Sequence, residues 1–385
     1  MGTPYQNQHY VPESYLRGWT YDGTDRVTIF LTDQQREVPG QNITDICSSD
    51  YFNSEYTPLE RAFGALEGAH ATPLRKIREG EPLCSLTIGE RRLLLSFVFT
   101  QRMRSGVMRD EIEGRAEAYY REALEQDIIN SGHDPDNLRD FIDSRFEGTV
   151  LGTHHMMMVH GIVAPFSMHG LKAVILENES EEPFIASEAP IIFENPRFKE
   201  ERGLNYPGLA FSGLQIYCPI SPTHCALFYD PDIYRVEQDR RWHATIDDER
   251  DAREINMLQV FSTDSFIMYK EMEQEGRIKS LIEEAHTYEN WEELHREFET
   301  PGEEGEMSVY SSVPPHQLHG LVPAPSPVKW RPGTFYTKDS HIEKVQKFLC
   351  DRIFGWTEFS ERGVILAIVF LLKSAGFDSR DQFTF

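Results

Sequence analysis

Lysine is scarce in this chain of 385 residues: only 10 of its 38 basic side chains are lysine, and the others are arginine. Acidic side chains number 63, so the formal net charge is −25. Many carboxylates with few lysines are typical of proteins that stay soluble in molar salt, where ions screen the repulsion between charges. We therefore predict a halophilic, archaeal protein, with an ordinary acidic protein as the alternative. The negative charge argues against a general nucleic-acid surface, which needs basic residues.

Cysteine is also sparse. The five cysteines are widely spaced and form no C-x-x-C pair, which favours reduced thiols over disulfides or structural zinc. The N-terminus shows no pattern of a secretory signal. The longest apolar run, near residues 363–372, is too short to span a membrane. We expect a cytoplasmic protein without membrane contact, in which this run forms a buried helix.

The spacing of apolar residues predicts an α+β fold. Apolar side chains recur at helical spacing over residues 58–78 and again from Thr87, which forms a T-x-x-E capping box with Glu90. A Ser-Gly pair at 105–106 is expected to bend this second helix. Short β-rich runs over residues 172–229 indicate an antiparallel or mixed sheet. We expect a helical N-terminal half packed on this small central sheet, followed by a C-terminal helical tail.

Composition also suggests how the chain is divided. The stretch over residues 299–332 is rich in Pro, Gly, Ser and Glu, which is typical of a linker or a loop on the surface. We predict a main α+β domain over residues 1–297. A Pro/Gly-rich linker or surface loop over 298–338 and a helical segment over 339–385 would follow it.

Arg104 lies among apolar positions of the second helix, and Gln101 shares its face. A buried guanidinium needs a carboxylate partner or an anionic ligand, because burying it alone is very costly. Glu60 and Glu67 share one face of the first helix and are candidate partners. A structural Arg–Glu pair and a ligand-binding role both remain open at this point.

Two further polar groups lie later in the chain. Ser187 and Glu188 end a predicted strand shortly before Pro190, where they would face a cleft; a turn without function is the alternative. Asn256 lies on a mostly apolar helix. Amides in such positions usually anchor a neighbouring backbone, and ligand binding is the alternative reading of Asn256.

Common catalytic motifs are missing from the sequence. It contains no G-x-S-x-G, no P-loop and no G-x-G-x-x-G, so neither a serine-triad hydrolase nor a nucleotide-binding fold is supported. The histidines at 154, 155, 160 and 169 lack the H-E-x-x-H spacing of a zinc site. We interpret them as core or surface residues.

The N-terminal segment QNQHYVP is unusually polar for the start of a chain. Pro12 predicts the start of a short helix, which would hold the preceding residues against the helix pair. We expect His9 to be directed towards Glu67 or Arg104.

Taken in order, QHYVP, LERAFGALE, FVFTQRMRS, FIASEAPI and YCPISPTHCALF resemble an uncharacterised prokaryotic family of unknown function. Its members typically begin with N-Q-H-Y-V-P-x-x-Y-L-R-x-F and later carry F-I-T-S-D-N-P and P-L-S-P. The resemblance covers residues 6–270, with Glu188-Ala189 standing where the family usually has Asp-Asn. The polar motif positions that the resemblance singles out are His9, Tyr10, Glu67, Gln101, Arg104, Ser187, Glu188 and Asn256.

These residues lead to a hydrolase hypothesis, with a phosphodiester or nucleotide as substrate. His9 would be the general acid and base, and Glu67 and Glu188 would orient water or a divalent metal. Arg104 and Gln101 would hold an anionic group. The remaining ligand contacts would come from Tyr10, Ser187 and Asn256.

Two alternatives stay open. The same pocket would hold a small-molecule or nucleotide ligand without turnover in a sensing module, for instance in stress or antiviral defence. In the third reading, the polar residues only tie the N-terminal segment to the helices and the sheet. The cofactor is unknown, with a divalent metal as the candidate.

Overall fold

The computed structural model describes residues 6–106, 170–195, 213–285 and 361–377. Shorter described stretches are residues 109, 128–129, 134, 154–155, 158–159, 161–166 and 328–330. These residues form an α+β structure of several sheets with helices packed on them, which confirms the predicted fold class. Every helix within the described ranges is too short or too polar to cross a bilayer.

The N-terminal part begins with short elements and continues into two long helices. Its strands are β1 (Asn7–His9), β2 (Arg26–Leu31), β3 (Arg36–Asn42) and β4 (Ser48–Asp50), and its helices are α1 (Glu13–Leu16), α2 (Thr57–Arg78) and α3 (Ile88–Arg104), with a 3-10 turn at Leu83–Ser85. The first of these strands pairs with the fourth, antiparallel, so the start of the chain is held against residues 48–50.

The start of α3 is the predicted capping box. The backbone N–H of Glu90 donates to Thr87 Oγ1 at 3.1 Å, and the backbone N–H of Thr87 donates to the Glu90 carboxylate at 2.8 Å. The helix ends at Arg104 because Ser105 turns to extended backbone, with φ −62° and ψ 148°. The sequence predicts a bend at residues 105–106, and the structure instead breaks the helix at Ser105.

The central part contains the strands of two sheets. Its strands are β5 (Lys172–Asn178), β6 (Ala186–Ser187), β7 (Ile192–Glu194), β8 (Gln215–Ser221), β9 (His224–Tyr229), β10 (Tyr234–Val236), β11 (His243–Ile246) and β12 (Phe266–Tyr269). Its helices are α4 (Glu249–Phe261) and α5 (Glu275–Ala285). A 3-10 turn lies at Ala164–Phe166. Five strands form a mixed sheet in the order β11-β5-β9-β8-β7, in which β11 and β5 run parallel. Four of these strands lie in runs that the sequence predicts as β, whereas the sequence does not predict β11, and the predicted run at 184–186 contributes to the other sheet.

A second, four-stranded antiparallel sheet has the order β3-β2-β12-β6. It joins the N-terminal hairpin to strands more than 140 positions later in the chain. A short two-stranded pair links β10 to β13 (Val328–Trp330). The second sheet brings the β2–β3 hairpin and residues 186–187 into one layer.

The C-terminal helix α6 (Glu361–Ser374) packs on α2. The apolar side chains that α6 buries belong to one core cluster with those of the first half of α2 and with Met158, Val159, Ile162 and Val163. The prediction of a buried C-terminal helix is confirmed for 361–374. Residues 339–360 and 298–327 lie outside the described residues, so the predicted division into a main domain, a linker and a tail stays a prediction.

The short helix α1 packs directly on the mixed sheet, as the buried Tyr15 hydroxyl donates to the Pro219 carbonyl at 2.5 Å. Gly18, just after this helix, allows the close approach. A Cβ on Gly18 would lie 2.1 Å from the carbonyl oxygen of Ile220. Only a residue without a side chain fits between the two backbones.

We expect Gly18→Ala to lower the free energy of unfolding by about 2–3 kcal/mol, because the methyl group forces α1 off the sheet. The control is Gly64→Ala on α2, where nothing lies within 4 Å of the added Cβ. That change should raise stability by about 0.5–1 kcal/mol, through the better helix propensity of alanine. Urea denaturation of both variants measures the difference. Equal effects of the two changes would contradict the tight packing at Gly18.

Candidate functional site

Arg104 is the centre of a buried polar cluster between α2, α3 and the N-terminal strand. Its side chain is 3% exposed, and Nη1 donates to the Glu67 carboxylate at 2.5 Å. Nε donates to the side-chain oxygen of Asn53 at 3.2 Å, and Nη2 donates to the backbone carbonyl of His9. The guanidinium also lies over the Phe63 ring, 4.5 Å from its centroid. Glu67 and Phe63 come from the same face of α2, so that face both stacks on the guanidinium and neutralises it.

Asn53 connects Arg104 to a second carboxylate. Its side-chain amide donates to Glu60 at 3.1 Å, while its oxygen accepts from Arg104. Gln8 fixes the loop from the other side, because its side-chain oxygen accepts from the backbone N–H of Asn53 at 2.7 Å. Both Gln8 and Asn53 are buried. The side chain of Asn53 is therefore held in one orientation, facing the two charged groups.

The N-terminal segment reaches this cluster mainly through its backbone. The Tyr10 carbonyl accepts from the Gln101 side chain at 2.8 Å, just as the His9 carbonyl accepts from Arg104. The His9 ring lies with Nε2 3.1 Å from the Ile43 carbonyl. We expected this ring to be directed towards Glu67 or Arg104, but its Nε2 lies at hydrogen-bonding distance from the backbone of residue 43. Its charge still acts on Glu60.

Glu60 is the perturbed acid of the cluster. Burial raises its pKa above the ordinary value, and the nearby carboxylate of Glu67 raises it further. The Arg104 charge, the Asn53 hydrogen bond and His9 oppose this shift without cancelling it. A carboxyl group that keeps its proton longer than usual, beside an ion pair, is typical of acid–base sites and also occurs in structural networks.

We expect Glu60→Gln to flatten the pH dependence of stability. A raised folded-state pKa means that the folded protein binds a proton more tightly than the unfolded chain does. The stabilisation is complete below the unfolded value near 4.5 and is lost as the pH rises through the folded value. The glutamine variant lacks this loss and should gain stability relative to the native protein between pH 4.5 and neutral pH. Urea denaturation across that range measures it; parallel curves for the two proteins would contradict the shifted pKa.

Two histidines beside the cluster are held neutral. Burial, followed by the charge of Arg104, lowers the pKa of His70 to about 3. Burial, followed by the charge of Arg109, also lowers the pKa of His154 to about 3. A third ring, His155, lies with Nε2 3.0 Å from the Asn53 carbonyl. At neutral pH these rings act as hydrogen-bonding groups without charge. This agrees with the interpretation of residues 154 and 155 as core residues.

Glu188 belongs to a different network. Its carboxylate accepts from Thr263 Oγ1 at 2.8 Å and from the backbone N–H groups of Asp264 and Ser265, both at 2.6 Å. These groups form the turn between α4 and β12. Glu188 is buried. Burial raises the pKa values of Tyr10 and Cys47, and the charge of Glu188 raises both further. It is thus within electrostatic reach of the N-terminal segment, while its hydrogen bonds hold the turn.

Ser187 and Asn256 lie in that second network as well. The side-chain oxygen of Asn256 accepts from the backbone N–H of Ile185 at 3.0 Å, and that of Gln259 accepts from the backbone N–H of Ser187 at 3.0 Å. The Ser187 hydroxyl lies 2.8 Å from that of Ser262. The two amides of α4 therefore anchor the strand segment in front of them, the reading of Asn256 that the sequence favours.

The structure thus divides the predicted site residues into two groups. His9, Tyr10, Glu67, Gln101 and Arg104 meet at one cluster, whereas Ser187, Glu188 and Asn256 hold the strand and turn next to α4. Arg104, Gln101 and Glu188 all form hydrogen bonds within the fold. The predicted roles, anion binding for Arg104 and Gln101 and orientation of a metal or water for Glu188, stay predictions. Sequence reasoning missed Asn53, and it gave no sign that His155 lies beside Asn53.

Asn53 gives a weak signal in the sequence. It stands with Ser54 a few residues before Thr57, where α2 begins, in a stretch where polar residues usually form turns. That ordinary role hides its contact with Arg104, 51 positions away.

In the part of the chain that the structure describes, no group of three or more His, Cys, Asp or Glu side chains is placed to hold a metal ion.

The comparisons with known proteins place the chain in a family. A family model described as "Protein of unknown function (DUF4238)" matches residues 7–273, which is most of the chain. No curated protein and no solved structure matches it. The match covers both polar networks and agrees with the resemblance found in the sequence. The chain therefore belongs to the DUF4238 family, whose function is unknown.

Proposed function

We propose that the Arg104 cluster is the acid–base site of a hydrolase. Glu60 would act as the general acid and base, together with His9. Glu67, which is fixed by its ion pair with Arg104, would hold the attacking water. Phosphodiesters and nucleotides are the substrates proposed for the first tests. Arg104 would supply positive charge at the rear of the site, although its guanidinium nitrogens already have partners.

The environment of Glu60 carries this proposal. A general acid works best when its pKa lies close to the working pH, and burial moves Glu60 in that direction. Its neighbour Glu67 instead forms a charged pair with Arg104. Two carboxyl groups in different environments on one helix face supply the two roles of a hydrolytic site, one giving a proton and one orienting water.

The test is a hydrolysis screen with purified full-length protein. The probes are p-nitrophenyl phosphate and bis(p-nitrophenyl) phosphate, each with Mg²⁺, with Mn²⁺ and with chelator. Loss of a general acid or base typically costs about 10²–10⁴-fold in rate, so Glu60→Gln should lower the rate by that factor. The matched control is Glu283→Gln, an exposed glutamate on α5, which should leave it unchanged. Equal rates for the native protein and Glu60→Gln would overturn the proposal.

A non-catalytic binding or sensing module is the second candidate. The observation that favours it is that each nitrogen of the Arg104 guanidinium hydrogen-bonds within the fold, which holds the cluster in one geometry. A preformed polar site binds a ligand without further ordering cost. Thermal-shift screening with nucleotides separates the two functions. Ligand binding without turnover, in the native protein and in Glu60→Gln alike, would support the binding module.

The charge balance supports a proposal about habitat. We infer a halophilic, archaeal protein of the cytoplasm from the 63 acidic residues and only 10 lysines. Repulsion within a chain of net charge −25 should weaken the fold at low salt, where screening is poor. A refolding series in potassium chloride measures this dependence. Full stability at about 50 mM salt, where the Debye length is longer than at physiological salt, would contradict it.

A further inference from the structure

The helix α6 lies outside the family match at residues 7–273, yet it is built into the same core as the cluster. Val364, Ile368 and Leu371 are buried in the apolar cluster that also contains Leu59 and Phe63 of α2. Phe63 is the ring on which the Arg104 guanidinium stacks. The packing of α6 therefore supports the very helix face that carries Glu60 and Glu67.

The first residue of α6 reaches the polar cluster. The hydroxyl of Ser54 donates to the Glu361 carboxylate at 2.9 Å, although the two residues are 307 positions apart. The same Ser54 oxygen accepts from the backbone N–H of Tyr56 at 2.9 Å. A partly buried carboxylate thus ties the loop in front of α2 to the C-terminal helix.

That loop is the one that orients Asn53. The Ser54 carbonyl accepts from Gln8 at 2.7 Å, and the neighbouring Asn53 side chain joins Arg104 to Glu60. The backbone of Asn53 is held as well, because its carbonyl lies 3.0 Å from His155 Nε2.

We propose that Glu361 is a positioning residue of the candidate site, supplied by a helix outside the family match. It holds Ser54, the Ser54 loop holds Asn53, and Asn53 sets the geometry of Glu60 and Arg104. The residue itself does not touch the substrate. Its importance for catalysis rests on the proposed hydrolase function, but its effect on Glu60 does not.

The test measures Glu60 directly, without substrate. In protein labelled with ¹³C-glutamate, the carboxyl signal of Glu60 is identified by its absence from Glu60→Gln. Removing the acceptor in Glu361→Ala releases Asn53, whose hydrogen bond favours the charged form of Glu60. The titration midpoint should therefore rise by about half a unit. Glu361→Gln keeps an acceptor oxygen and should restore most of the native midpoint.

A second variant and a control complete the design. Ser54→Ala removes the donor of the same hydrogen bond and should move the Glu60 midpoint in the same direction, so the test survives if Glu361→Ala folds poorly. Glu283→Gln should not move it. An unchanged midpoint in both Glu361→Ala and Ser54→Ala would overturn the proposal. If the midpoint moves but the native protein hydrolyses no probe, the positioning role stands and the proposed hydrolase function fails.

Discussion

Arg104→Met is expected to lower the free energy of unfolding by about 3–5 kcal/mol, the usual cost of removing one partner from a buried ion pair. Methionine fills much of the same volume but donates nothing. Glu67, the Asn53 side chain and the His9 carbonyl would each lose a charged donor. The stacking on Phe63 would lose its cationic partner too. The effect should therefore exceed that of any single hydrogen bond.

The control for this prediction is another arginine that pairs with a glutamate. Arg75 bonds Glu79 at 2.7 Å, but both side chains are more than half exposed. Arg75→Met should cost less than about 0.5 kcal/mol, because exposed helix pairs contribute little. Urea denaturation of the two variants at one pH measures the contrast. Similar losses in both would mean that Arg104 does not organise the cluster.

Glu188→Ala is expected to lower the free energy of unfolding by about 3 kcal/mol, in the range for buried groups that lose charged hydrogen bonds. The backbone N–H groups of Asp264 and Ser265, in the turn after α4, would lose the carboxylate that accepts from them. Thr263 would lose the same acceptor. The loss reflects these hydrogen bonds, which the buried carboxylate of Glu188 makes to the turn.

An exposed glutamate in the same segment provides the comparison. Glu181 lies seven positions earlier and is exposed, so Glu181→Ala should change stability by less than about 0.5 kcal/mol. Thermal and urea unfolding of both variants decide the matter. A small loss for Glu188→Ala would show that the turn does not depend on its carboxylate. That result would favour a direct functional role for Glu188, the orientation of water or a metal.

Local chemistry made several features predictable from the sequence. The Thr87–Glu90 capping box is a pattern of four adjacent residues, and the structure shows it as expected. Arg104 stood out because an arginine on an apolar helix must find a partner, and Glu67 on α2 is that partner. The anchoring amide of Asn256 follows from the same reasoning. In each case one residue and its immediate surroundings carry the signal.

The remaining features depend on which distant segments meet. The pairing of β12 with β2 and β6 builds a second sheet, which no local sequence pattern predicts. The contact of Ser54 with Glu361 spans 307 positions. Asn53 reads as an ordinary residue before a helix, and its role appears only when α3 and the N-terminal strand surround it. Polar residues whose partners lie far away in the chain leave no trace in spacing or composition.

The acid–base account depends most directly on the protonation of Glu60. Its titration in the native protein, followed by the ¹³C carboxyl signal that Glu60→Gln lacks, tests the account without any knowledge of the substrate. The account predicts a midpoint above the ordinary glutamate value of 4.5, because burial disfavours the charged form more than Arg104, Asn53 and His9 favour it. A midpoint at or below 4.5 would contradict it and leave the cluster as a set of structural ion pairs.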